Sequence, residues 1–394
     1  MSPPLPSLPF LEGNFLAEHS APMTDPIHIV EPTLRDKTGH CYSHVLSLIE
    51  ANRDLGLPLE VWAGRQAKAL FGDTPNCRVH GHFWHPLRRV QTFLLYRRLL
   101  RAPGRIYLPT GARRDLVMLS LAAPGPIPPA KAFLLFHWLK LSERKRRNMA
   151  CIAARHPNIV TLGPTQGIVD LLKSCGFAQA CVVPYPITPV QPPAGQSDAF
   201  RYVLFGGAAR EDKGFSAVVR LVETLAAARA TLPVLIQTSP PHKGTFEPAV
   251  AAALARLEAA RYPHLERRDR TLDDAEYFEQ YRGAIVLQLY DAQEYAADRI
   301  SGVTLDALSC GAPILATAGT WMGRIVERFG AGLTLTDLQP AAVRAACDTV
   351  VADFATFSAR ARAAGTALQR ENHGGHILRL LASPATPPAD GLNR

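Results

Sequence analysis

What the chain lacks narrows its class first. Its seven cysteines, Cys41, Cys77, Cys151, Cys175, Cys181, Cys310 and Cys347, are odd in number and form no CxxC pair. That usage fits a reducing compartment better than a disulfide framework. No stretch approaches the roughly 20 apolar residues of a membrane span. The longest candidate, Ile127 to Leu139, is broken by prolines and Lys131. Residues 1–26 hold many prolines and no basic start followed by a long apolar run, so they do not read as a signal peptide. They read as a loose tail, and Met23 offers a second possible start. No acidic triplet for a metal stands out, and the expectation is metal independence with no cofactor. Basic residues are mixed with acids through most of the chain and no recognition motif appears, which argues against nucleic acid as a partner. A cytoplasmic protein is expected.

What is present points to two α/β domains. The 394 residues are 47% hydrophobic, and single cores stop growing at roughly 250–300 residues. The formal charge of +9 favours anionic partners without choosing among them. Short apolar runs alternate with helical ones. Strands are read at Ile27, Val61, Ile106, Ala132, Asn158 and Ala180, with helices between them. Pro186 to Ser197 is rich in Pro, Gly and Gln and reads as a linker. The rhythm then restarts with strands at Arg201, Leu232, Ala284 and Ala312. Such alternation predicts parallel sheets with helices on both faces, the doubly wound Rossmann-like arrangement, once in each half. The expected domains are 27–190 and 191–382, with a tail over 383–394 and the final helical run, around Phe354 to Arg370, packing back on the first domain. Ligands of such folds bind beyond the carboxyl ends of the strands.

Two segments of the second half carry chemistry. Phe205-GGAAREDKGF joins a strand end, glycines, and Arg210 and Lys213 three residues apart at a helix start. Glycines such as Gly207 let a backbone approach a ligand closely, and two cations there suit a diphosphate. An ordinary charged turn remains the other reading. The spacing matches neither a dinucleotide fingerprint nor a P-loop. In Asp298-RISGVTLDALSCGAPILAT, Ser301 and Gly302 stand at a helix start, where free N–H groups and the helix dipole attract phosphate. Asp306 lies mid-helix among apolar residues and needs a partner. A ribose hydroxyl pair would serve, as would an Arg or Lys of its own domain.

These segments resemble the retaining glycosyltransferases of family four. Asp298, seven residues, Asp306-Ala307 and then Cys310-GAPILAT match that family's helix-start motif, and Gly207-AAREDKG matches its cation-bearing strand end. Both acids are Asp where the family usually has Glu, and Ala208 stands where some members place the Arg. The resemblance implies a GT-B fold, two Rossmann-like domains facing across a cleft. It implies a sugar moved with retention from a nucleotide-sugar to a glycan or lipid-linked acceptor, in bacterial surface polysaccharide synthesis. Arg210, Lys213 and Ser301-Gly302 would hold the diphosphate, Asp306 the ribose, and Asp298 would lie nearer the sugar. Gly39 would let the first helix approach the donor phosphates. His137, ending an apolar strand, would contact the transferred sugar or else be a satisfied core histidine. His40, Tyr42 and His44 are acceptor-side candidates or plain cap and surface residues.

His85-PLRRVQTFLLYRRLLRAPGR mixes arginines with Phe93, Leu94, Leu95 and Tyr96. That composition suits peripheral contact with the inner face of an anionic plasma membrane, or a domain helix with its arginines in water. Two other functions compete: a nucleotide-sugar epimerase on the same fold, and a non-catalytic carbohydrate-binding or assembly protein with a decayed site.

Overall fold

The computed structural model describes residues 25–37, 40–187, 199–239, 245–296 and 298–383. Most of the expected linker, both tails and Gly39 lie outside these. The chain divides into two compact units. The first takes the described residues up to 187 and again those from Glu371. The second spans those from 199 to Arg370.

The first unit holds a seven-stranded parallel sheet. Its strands are β1 (Ile27–Val30), β2 (Leu59–Gly64), β3 (Cys77–Phe83), β4 (Arg105–Leu108), β5 (Ala132–Leu135), β6 (Val160–Gly163) and β7 (Ala180–Val182). The spatial order is β3-β2-β1-β4-β5-β6-β7. Helices α1 (His40–Leu55), α2 (Arg88–Leu99), α3 (Arg113–Ala122), α4 (Glu143–Arg155) and α5 (Gln166–Ser174) connect the strands. β1, β5 and β6 are buried along their whole length, as parallel strands covered on both faces must be.

The second unit repeats the winding with six parallel strands. These are β8 (Tyr202–Phe205), β9 (Val234–Gln237), β10 (Leu265–Arg268), β11 (Ala284–Gln288), β12 (Ile314–Thr317) and β13 (Gly332–Leu335), in the order β10-β9-β8-β11-β12-β13. Helices α6 (Phe215–Ala227), α7 (Pro248–Ala259), α8 (Asp274–Glu279), α9 (Gly302–Ser309), α10 (Trp321–Phe329), α11 (Pro340–Ala352) and α12 (Phe354–Glu371) accompany them. The expected doubly wound α/β class is what the chain adopts in both halves.

Three strands escape the sequence reading: β3, β10 and β13. Each is an edge strand with half-exposed positions, so none carries the continuous apolar run of a central parallel strand. The run at Phe354–Arg370 is α12, and it stays with the second unit. A further helix, α13 (Gly374–Ala382), is the one that joins the first unit, against α1. Asn372 secures the entry: its Oδ1 accepts from Tyr185 N at 3.0 Å and its carbonyl from Ile187 N at 3.2 Å. Ile377, Leu378 and Leu381 then enter the core built on α1 and the sheet.

Candidate functional site

In the second unit β8 and β11 are neighbours whose chains leave in opposite directions along the sheet, β8 toward β9 and β11 toward β12. At such a switch point the loops beyond the carboxyl ends diverge and leave room for a ligand. Two contacts hold the loops leaving β8 and β11 together. Asp291 N donates to the Asp212 carbonyl at 3.0 Å. Gly214, with φ of 74°, lies so close to Leu289 that a Cβ would strike the Leu289 carbonyl oxygen. Only glycine satisfies both the left-handed turn and that approach.

Asp212 is the hub of what these loops present. Its carboxylate accepts from Arg210 Nε at 2.8 Å and from a second nitrogen of the same guanidinium. The Arg299 guanidinium lies 3.6 Å from the same carboxylate and stacks over the Tyr295 ring at 4.0 Å. Lys213 Nζ stands 5.9 Å from the Tyr290 ring centroid. It also lies 3.4 Å from where a side chain at Gly207 would begin, a residue with φ of 103°. Two arginines thus share one acid, and Lys213 stands within its field. Burial brings the Lys213 ammonium down to about 8; Arg210 and Arg299 push the same way, and Asp212 opposes them. A buried ammonium lowered by neighbouring cations gains from a bound anion.

Behind the cations, Ser301 is the buried N-cap of α9, and its hydroxyl makes no capping bond. The buried Tyr290 hydroxyl lies beside Ser301 and Gln288. One turn into α9, Asp306 Oδ2 accepts from the Tyr277 hydroxyl at 2.8 Å. Its partner is therefore a phenol on α8, neither an Arg nor a Lys. Burial pushes the Asp306 carboxyl up to about 6, and the Tyr277 bond resists. Asp298 is half-buried in the loop ahead of Arg299.

The first unit presents different chemistry at the matching edge. His137 follows β5 and places its ring 4.4 Å from His44 and 5.8 Å from His40, centroid to centroid, both on α1. Tyr185 packs on His44 at 4.6 Å and His137 at 5.1 Å. His137 Nε2 donates to the Pro109 carbonyl at 2.6 Å, and its buried Nδ1 has no partner among the described residues. Burial, then the His40 charge, takes the His137 imidazole down to about 3, against the Pro109 bond. His44 is fully buried, and burial followed by His137 and His40 lowers it well below the ordinary histidine range. Both rings are neutral at pH 7. Tyr42 stands apart, stacked on Phe71 at 5.5 Å. Of the acceptor-side trio, His40 and His44 meet His137, and Tyr42 does not.

Two residues escape the sequence reading here. Arg299 adjoins Asp298, yet nothing in its neighbourhood signals that it reaches Asp212. Glu31 follows β1 as a buried carboxylate that accepts from Thr33 N at 3.2 Å and from the Thr33 and Thr110 hydroxyls. Among the described residues no group of three or more His, Cys, Asp or Glu is placed to hold a metal ion, and no helix is long and apolar enough to cross a membrane.

No family model matches the chain, and no curated protein does. Solved structures share its fold. HepE of Anabaena, in a complex with UDP and glucose, superposes with a TM-score of 0.63 at 14% identity, covering 91% of this chain and 98% of that one. Sucrose-phosphate synthase of Thermosynechococcus elongatus gives 0.62 at 15%, covering 91% and 96%. WaaG, a glycosyltransferase of lipopolysaccharide biosynthesis, gives 0.59 at 12%, covering 91% and 100%. The shared architecture is that of the GT-B fold.

Proposed function

We propose that the chain is a glycosyltransferase that binds a nucleoside diphosphate sugar on its second unit and moves the sugar, with retention, to a glycan or lipid-linked acceptor. The observation that carries this reading is the pairing of Arg210 and Arg299 with one carboxylate, beside the buried Lys213, at the β8–β11 switch point. Asp306 lies in the helix that starts beside them. The cations take the diphosphate, and the first amides of α9, at Ser301-Gly302, add their dipole. Asp306 accepts from the ribose hydroxyls, and Asp298 lies toward the sugar. HepE, which shares the fold, was crystallised with UDP and glucose, a ligand of this chemistry. The neutral His137 and His44, with His40, supply the acceptor side. The setting we propose is bacterial surface polysaccharide synthesis at the cytoplasmic face of the membrane.

In the reaction the acceptor oxygen bonds to the anomeric carbon as the bond from that carbon to the β-phosphate oxygen breaks. The electron pair stays on the phosphate, which takes the acceptor proton. Charge on the leaving oxygen rises in the transition state, so cation contacts strengthen there. No residue of the chain is asked to form a covalent intermediate. An epimerase would act on donor alone and leave the sugar on its nucleotide, whereas a transferase in water hydrolyses it slowly.

The test is a donor-hydrolysis assay over a panel of nucleoside diphosphate sugars. Lys213→Ala should lower turnover at least roughly tenfold with a smaller change in KM. Full turnover by that variant at saturating donor refutes the role of Lys213. Release of an epimeric nucleotide-sugar in place of free sugar refutes transfer.

A further inference from the structure

Six large hydrophobic side chains stand exposed among the described residues, and four of them are Trp84, Leu87, Val90 and Leu94, between 47% and 58% exposed. Apolar residues scattered singly over a surface are ordinary; a run of them rimmed by charge of one sign is not. Leu87, Val90 and Leu94 follow the three-and-four spacing of one helix face. The same stripe continues through the exposed Arg97 and Arg101. The opposite face of α2 is already spent, since Thr92, Leu95, Tyr96 and Leu99 are buried against the unit's core. Trp84 leads into the stripe with the Arg65 guanidinium 5.5 Å from its ring centroid.

The charge of this segment is unmixed. No Asp or Glu occurs between Asp73 and Asp115, and arginines recur throughout that stretch. Two occupants fit an apolar stripe in principle. A second copy of the chain, meeting it face to face, would set arginine against arginine in a symmetric contact. An anionic bilayer meets both parts at once: the apolar side chains enter the acyl boundary and the arginines rest on lipid phosphates. A tryptophan at the edge of such a stripe suits the headgroup level.

We propose that α2 and the Trp84 turn form a docking surface for an anionic lipid bilayer. The apolar part lies at the end of α2 that follows β3, so it sits toward the carboxyl edge of the first sheet, the edge that carries the histidine cluster. The proposal stands on exposure and charge alone and does not depend on the sugar-transfer reading.

Co-sedimentation of the full chain with vesicles tests it. Vesicles of phosphatidylcholine alone are compared with vesicles containing phosphatidylglycerol, at about 0.1 M salt, where charge is screened beyond roughly 10 Å. The expected result is partition to the anionic vesicles only. Both Leu87→Ser/Val90→Ser/Leu94→Ser and Arg89→Gln/Arg97→Gln/Arg101→Gln should weaken that partition at least tenfold, with melting temperatures near wild type. Binding should also shift the tryptophan emission to the blue, and Trp84→Phe should remove that shift. Three results overturn the proposal: no partition to anionic vesicles, equal partition to neutral ones, or unchanged partition in both triple variants. A concentration-dependent dimer that the triple-serine variant loses would assign the face to a second copy and also overturn it.

Discussion

In the first unit the chain leaving β5 and helix α1 gather histidines that burial keeps neutral; in the second, the loops leaving β8 and β11 gather cations around a single acid. Both sheets are wound alike: the first strand stands between the second and the fourth, and the others extend outward in sequence. The same backbone plan thus places a candidate edge in each half, and the loop residues set the chemistry each edge presents. One edge is lined by neutral imidazoles, suited to hydroxyl-bearing groups. The other is charged and suited to phosphate.

The largest effect should come from removing charge at the second edge. Arg210→Gln with Arg299→Gln deletes two charge-assisted contacts worth about 1.5–3 kcal/mol each. Affinity for a nucleoside diphosphate sugar, measured by calorimetry, should fall at least a hundredfold. If only the Arg210 change matters, Arg299 serves the fold and the three-cation description fails. Asp306→Asn should follow, at about 1.5–3 kcal/mol, or roughly tenfold to a hundredfold in affinity at pH 7. The wild type should approach that variant below pH 6, since the Asp306 carboxyl titrates at about 6. A loss of melting temperature with affinity unchanged would mark Asp306 as a structural partner of Tyr277.

The first edge should show itself in stability instead. His137 titrates at about 3 in the folded chain and His44 is lowered well below its ordinary value. Unfolded histidines bind protons below about 6.5 while these two do not. Their contribution is therefore fully present above that pH and is lost as pH falls from about 6.5 toward 3. Each costs about 1.4 kcal/mol per pH unit well below pH 6.5. Denaturant unfolding at pH 7 and pH 5 should give a smaller loss for His44→Phe than for the wild type. An equal loss would mean that His44 gains protons in the folded chain.

Much of the fold was readable because burial on both faces writes itself into continuous apolar runs. β1, β5, β8 and β11 are such runs. Three of the four edge strands were not readable. β10 is Leu265-Glu-Arg-Arg, and β3 carries Arg78, His80, Gly81 and His82, because an edge strand sheds half its burial. α13 was hidden by its position after a helix that already ended in charged residues. At the candidate site, Arg210, Lys213, Ser301 and Asp306 could be picked out by residue type beside a strand end or helix start. Arg299 could not, because its place depends on one loop folding back to an acid 87 residues earlier. Glu31 reads as the last residue of a strand, and only the fold reveals that it is buried between two threonines.

The central claim is that the cations of the second unit hold a diphosphate, and Lys213 offers the most direct measurement. In the free chain its ammonium titrates at about 8, pulled down by burial and then by Arg210 and Arg299. A bound diphosphate adds negative charge beside it and must raise that value. Binding at pH 8 should therefore take up a fraction of a proton. Calorimetric titration with UDP-glucose, whose phosphates stay ionised across this range, reads the uptake from heats in two buffers of different ionisation enthalpy. The account predicts uptake at pH 8 that fades toward pH 6.5, affinity that weakens above pH 8, and loss of both in Lys213→Ala. Tight binding with no proton uptake, unchanged in Lys213→Ala, would contradict it.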